Sequence, residues 1–129
     1  MDFFRTFFRV AAFSNWFLGM STIFHKAQFA AFGLEPINYP TLIIFTGVLG
    51  IVFGVLYWDV AEGKPENQLA LLKIGVLGKA GGSIIWLVGL ITGDLPPAFW
   101  FYAIWADLLW LPGFVYYYIR LVRDQTNPM

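Results

Sequence analysis

The amino-acid sequence predicts an all-α integral membrane protein, an up-down four-helix bundle with spans at about 10–32, 41–58, 68–92 and 98–121. Three observations carry this. Charged residues make up only 12% of the chain and hydrophobic residues 59%, where an ordinary soluble domain is about a quarter charged. Aromatic residues, 20% of the chain, gather near the ends of the apolar runs, where amphipathic rings favour the membrane interface. Each helical span needs about 20 residues, so 129 residues form one transmembrane domain, 1–129, of four spans and short loops.

Residues 1–9 alternate phenylalanine pairs with Arg5 and Arg9. They read as a membrane-surface turn with snorkelling arginines, or else as an arm that binds lipid or a partner. The first span follows from about Val10 to Phe24 and extends toward Phe32. It is read as retained, because His25-Lys26-Ala27-Gln28 makes no cleavage site. Its Ser14, Asn15, Ser21 and Thr22 should face other helices, since lipid offers them no hydrogen-bond partner. Gly33 and Glu35-Pro36 end it, and Asn38 to Pro40 form a turn.

The second span places Gly47, Gly50 and Gly54 on one face, and the third does the same with Gly75, Gly78 and Gly82. Small residues let backbones approach, so the simplest packing sets the two glycine faces together. Between these spans Glu62 to Asn67 is the most polar stretch, with Asn67 placed to cap the next helix. In the turn Gly93 to Pro97, Asp94 can cap the last helix, which Pro112-Gly113 should kink. Arg123 to Met129 reads as a frayed tail.

Composition narrows the chemistry. There is no cysteine, and His25 is the single histidine, which removes disulfides, thiolate metal sites, iron–sulfur clusters and bis-histidine haem. His25 reads as an interfacial side chain or, less simply, one axial ligand. No catalytic triad, paired-carboxylate site, phosphate loop or zinc motif is present, so no catalytic or metal residue is assigned. No cofactor is required, although lipid, quinone or pigment could sit at contacts. The net charge is zero with no basic run, which argues against nucleic acid. Arg5, Arg9, Lys64, Arg120 and Arg123 fall on one side of the four-span plan, against Lys26, Glu35 and Asp94 on the other. The positive-inside rule then makes both termini cytoplasmic.

Two charges lie inside the apolar runs, Lys79 in the third span and Asp107 in the fourth. A charge at such depth is costly, so it is paired, functional or both. At 1.5 Å per residue, Asp107 is about 13 Å and Lys79 about 19 Å from the Gly93–Pro97 end. Helices joined by a short turn are normally neighbours, and a lysine side chain reaches across the difference. The pair fixes the register of two helices, anchors a ligand in a central cavity, or takes part in a proton relay with Tyr102, Asn15 and the Tyr116 region. Trp100 and Trp110 flank Asp107 in sequence. With Asn15 and Tyr102 they could line a pocket for a lipophile bearing a cationic or hydroxyl group. Lys73 and Asp59 read as snorkelling or interfacial residues.

From about Phe17 to Leu121 the chain resembles small bacterial four-span membrane proteins and is similar in general to the DoxX-type family. The likeness lies in Gly50 to Asp59, Leu71 to Lys79, the Gly93-Asp94-Leu95-Pro96 turn and Asp107 to Phe114. It implies a bacterial inner-membrane protein that acts as a non-catalytic accessory or stabilising subunit of a larger complex, respiratory or photosynthetic, contacting lipids and other subunits. In plan the chain also resembles EXPERA-type four-helix proteins. That likeness implies a binding protein or isomerase for a sterol, quinone or lipid around Asp107.

Overall fold

The computed structural model describes residues 2–126, and among these all regular elements are helical. The order is α1 (Asp2–Ile23), α2 (His25–Ala31), α3 (Pro40–Glu62) and α4 (Pro65–Thr92), then a last, interrupted helix. That helix comprises a 3₁₀ turn (Pro97–Phe99), α5 (Trp100–Ala103), a π segment (Ile104–Leu108) and α6 (Leu111–Thr126). Three helices among the described residues are long and apolar enough to cross a membrane: Pro40–Glu62, Pro65–Thr92 and Pro97–Thr126. The first helix is not among them, since Arg5, Thr6, Arg9, Ser14 and Asn15 dilute its apolar residues.

Residues 2–9 are helix, not a surface turn. Phe4, Phe8, Ala11 and Ala12 recur at three- and four-residue steps and form one buried face. They fill the core with Tyr57, Val60, Leu72, Phe114 and Tyr117. Arg5 stays exposed, while Arg9 reaches the end of α3, pairs with Glu62 and lies over the Trp58 ring at 5.7 Å. The aromatic pairs therefore close the core at the end where α1 begins and α6 runs out. Asn127, Pro128 and Met129 lie outside the described residues, but Arg123–Thr126 are the last turn of α6.

Three boundaries differ from the sequence reading for local reasons. Asn67 does not cap α4. Pro65 occupies the first turn, where its missing N–H is no loss, and the Asn67 N–H already bonds the Lys64 carbonyl at 2.9 Å. Asp94 does not cap the last helix either. Gly93 ends α4 in the left-handed region (φ 85°), Leu95 N–H closes back on Gly89 O at 3.0 Å, and extended Pro96 carries the helix start beyond Asp94. The irregularity expected at Pro112-Gly113 sits one turn earlier. Pro112 has no N–H for the Leu108 carbonyl, and the turn before it is π-helical. Leu109 N–H bonds Ile104 O at 2.9 Å. Trp110 N–H, which an α-helix would direct to Ala106, bonds Asp107 O at 3.2 Å instead.

The two glycine faces do not meet each other. A Cβ on Gly47 would stand 2.6 Å from the Gly19 carbonyl oxygen, and a Cβ on Gly50 would stand 3.4 Å from Gly19 Cα. Gly54 lies beneath Trp16. The α3 face thus receives antiparallel α1. The α4 glycines accept side chains: Gly75 those of Phe114 and Tyr57, Gly78 that of Phe53, and Gly82 the Asp107 carboxylate. Spacing puts small residues on a face but does not name the partner. Here α4 opposes bulky rings and a carboxylate, so its glycines make room for them.

Candidate functional site

The buried residues of α4 are Leu72, Gly75, Lys79 and Ser83, one stripe at steps of three and four. Lys79 lies on this stripe, is 1% exposed, and so must find its partners inside the protein. Its Nζ donates to Asn15 Oδ1 of α1 at 3.1 Å and to the Ala106 carbonyl. That carbonyl is the one which Trp110 N–H passes over in the π segment. The irregular helix thereby exposes a backbone acceptor where the ammonium needs one. Asp107 Oδ1 stands 3.7 Å from Nζ. The rings of Tyr57 and Phe114 flank the charge at 5.0 and 5.6 Å.

Each partner is tied to a further element. Asn15 Nδ2 donates to Gly50 O at 3.1 Å, which the close approach of α1 to α3 permits. Trp86 Nε1 donates to Asp107 Oδ2 at 2.8 Å. One polar chain therefore runs from α3 through α1 and α4 to the last helix, with one positive and one negative charge. Trp86→Phe keeps the ring but removes a hydrogen bond to a charged group. We expect a loss of about 1.5–3 kcal/mol in unfolding free energy. Trp110→Phe, which removes a bond to the Trp105 carbonyl (3.0 Å), should lose less, and thermal unfolding in mild detergent compares the two.

This polar chain forms the floor of a cleft of about 870 Å³. Its walls are mostly apolar, with Leu18, Leu49, Phe53, Ile85 and Phe99 among them. Ile37–Tyr39, from the connection before α3, and Leu95, from the turn after α4, line its other end. Aromatic contacts hold that end together. Phe29 meets Phe99 edge-on at 5.7 Å, and Tyr102 stacks on Trp86 and donates its hydroxyl to Gln28 at 2.7 Å.

Of the residues singled out in the sequence, Lys79, Asp107, Asn15 and Tyr102 all line this cleft. Trp100 and Trp110 do not. Trp100 is 43% exposed, and Trp110 packs edge-on against Phe7 at 5.4 Å. A regular helix would set Trp100 two turns from Asp107 on one face, but the wider π turn rotates it away. Trp86 is the indole that meets the carboxylate. It sits seven residues beyond Lys79, on the same helical stripe, so periodicity held a usable signal. His25 is 4% exposed, with Nδ1 3.2 Å from Thr22 O and its ring against Phe29. Lys73 and Asp59 are exposed and make no salt bridge among the described residues. No group of three potential metal ligands occurs among those residues.

No protein-family model, no curated protein and no solved structure matches the chain.

Proposed function

We propose that this protein is an integral membrane binding protein for a lipophilic small molecule, held in the cleft with its polar end at Lys79 and Asp107. The observation that carries the reading is one apolar cleft of about 870 Å³ ending on a buried ion pair. Small-molecule sites have this form: apolar walls, a few convergent polar groups, and volumes of about 300–1,000 Å³. A pair serving only to fix helix register has no need of such a space beside it.

The chain in this reading crosses the membrane four times, with α1 and α2 together as the first span. The start of α1, the α3–α4 connection and the end of α6 lie at one end, where Arg5, Arg9, Lys64 and Arg123 favour the cytoplasm of a bacterial inner membrane. The likeness to EXPERA-type proteins agrees with a bound lipophile. The DoxX-type likeness supports a second reading, an accessory subunit of a larger membrane complex. We rank it second because exposed apolar side chains such as Ile85 and Ile91 suit lipid as well as protein.

Thr46 lines the cleft yet is exposed, so Thr46→Trp should occupy the space without disturbing the core. Native mass spectrometry of protein taken from its own membranes should show a retained lipophile. The variant should lose at least about ten-fold in affinity, some 1.4 kcal/mol. A protein that retains nothing, or a variant that binds unchanged, refutes the reading.

A further inference from the structure

We infer that the cleft selects a lipophile whose head is a neutral hydroxyl, which donates to Asp107 and accepts from the Lys79–Asn15 side. This rests on the binding function proposed above. The inference comes from counting what each polar atom on the floor already does. An ammonium has three N–H donors. Lys79 directs hydrogen bonds to Asn15 Oδ1 and Ala106 O, which leaves one donor for Asp107 Oδ1 at 3.7 Å, beyond hydrogen-bond length. A carboxylate has about four lone-pair sites. Trp86 takes one on Oδ2 at 2.8 Å, and Lys79 faces Oδ1 only loosely. Asn15 has two amide N–H groups and spends one on Gly50 O. Acceptor capacity on Asp107 and donor capacity on Asn15 and Lys79 are therefore both unspent, and all three residues line the cleft.

The head group must supply both complements. A hydroxyl has one donor and two acceptor sites. A ketone, quinone or ether only accepts, and leaves its oxygen lone pairs against the Asp107 carboxylate. A carboxylate head adds a second negative charge beside Asp107, and an ammonium adds a second positive charge beside Lys79. The floor already carries one charge of each sign, so a charged head strands an unpaired ion in an apolar site. The loose ion pair is the feature a hydroxyl can close, accepting from one partner and donating to the other.

Two sources share this chemistry: a free lipophilic alcohol, and the free hydroxyl of a diacylglycerol in the bilayer. The test uses the full chain in mild detergent with one isoprenoid and one fused-ring skeleton, each prepared as alcohol, methyl ether, ketone or aldehyde, carboxylic acid and amine. A diacylglycerol and its O-methyl ether complete the set. In at least one of the three series the alcohol should bind ten-fold or more tightly than its ether and its other derivatives. The series in which this occurs identifies the source. Alcohol and ether binding equally, or preference for acid, amine or ketone, overturns the hydroxyl assignment and leaves the binding function standing. If no compound binds and native mass spectrometry finds no lipophile retained, both fall. Asp107→Asn, with an amide that can donate as well as accept, should narrow the alcohol-to-ether ratio. Since that variant could fail to fold, the wild-type ratios decide.

Discussion

Asp107→Asn lowers the unfolding free energy by about 3–5 kcal/mol, whereas Lys79→Met combined with Asp107→Asn lowers it by only about 1–2 kcal/mol. The single change leaves the ammonium of a lysine 1% exposed with two neutral acceptors and no counter-charge. Removing one member of a buried pair costs more than the pair contributes, because the survivor stays desolvated. The double change removes both charges. Trp86 keeps an acceptor in the new amide, and what is lost is the ammonium's two hydrogen bonds to Asn15 Oδ1 and Ala106 O, offset in large part because neither an ammonium nor a carboxylate is then buried. The thioether side chain that Lys79→Met introduces fills much of the lysine stem's volume between Tyr57 and Phe114. Reversible unfolding in detergent, followed by tryptophan fluorescence, compares the three proteins. A double variant less stable than Asp107→Asn would mean that the pair is not what holds these helices in register. The same series separates structure from binding: a folded double variant should lose selection for hydroxyl heads while retaining the cleft.

Much of this site was legible in the sequence, and the limits are physical. A lysine and an aspartate inside apolar runs announce themselves, and rise per residue with a short turn was enough to bring them within reach. Asn15 stands out because an amide in an apolar helix needs a partner, and Tyr102 because it is one of the few polar groups available beside the pair. Trp100 and Trp110 are drawn to Asp107 by closeness in sequence alone, which does not fix the direction a ring faces on an interrupted helix, and both lie outside the cleft. The Ala106 carbonyl has no sequence signature. Backbone acceptors become available only where a helix ladder is interrupted. Residues 2–9 failed for a different reason. Their Phe-Phe-Arg rhythm looks interfacial when read as a list, and becomes an inward face only when placed on a helix with Ala11 and Ala12. Helix packing failed at the choice of partner. Gly19 is a lone glycine in its span, with no repeat to mark it, yet it is where α3 comes closest.

That contact yields the sharpest packing prediction. Gly47→Ala is expected to destabilise by about 2–3 kcal/mol, while Gly50→Ala and Gly81→Ala are neutral or stabilise by up to about 1 kcal/mol. All three lie within helices, where alanine is favoured over glycine by about 0.5–1 kcal/mol. The surroundings decide the sign. At Gly47 the new methyl would stand 2.6 Å from the Gly19 carbonyl oxygen and 2.9 Å from Ile23 Cγ1. The first obstacle is backbone, so relief requires α1 and α3 to separate. Separation in turn stretches the Asn15–Gly50 hydrogen bond (3.1 Å) and the Trp16–Ile51 bond (3.2 Å), and shifts Asn15 away from Lys79. At Gly50 the nearest atom is 3.4 Å away, ordinary contact, and at Gly81 there is nothing within 4 Å. Glycine spacing alone groups Gly47 with Gly50 and predicts similar losses for both. Thermal unfolding of the three single variants distinguishes the two accounts, and equal behaviour of Gly47→Ala and Gly50→Ala would rule out the close α1–α3 crossing. Because Asn15 travels with α1, Gly47→Ala should also weaken lipophile binding although it sits outside the cleft lining. Gly81→Ala should leave binding unchanged.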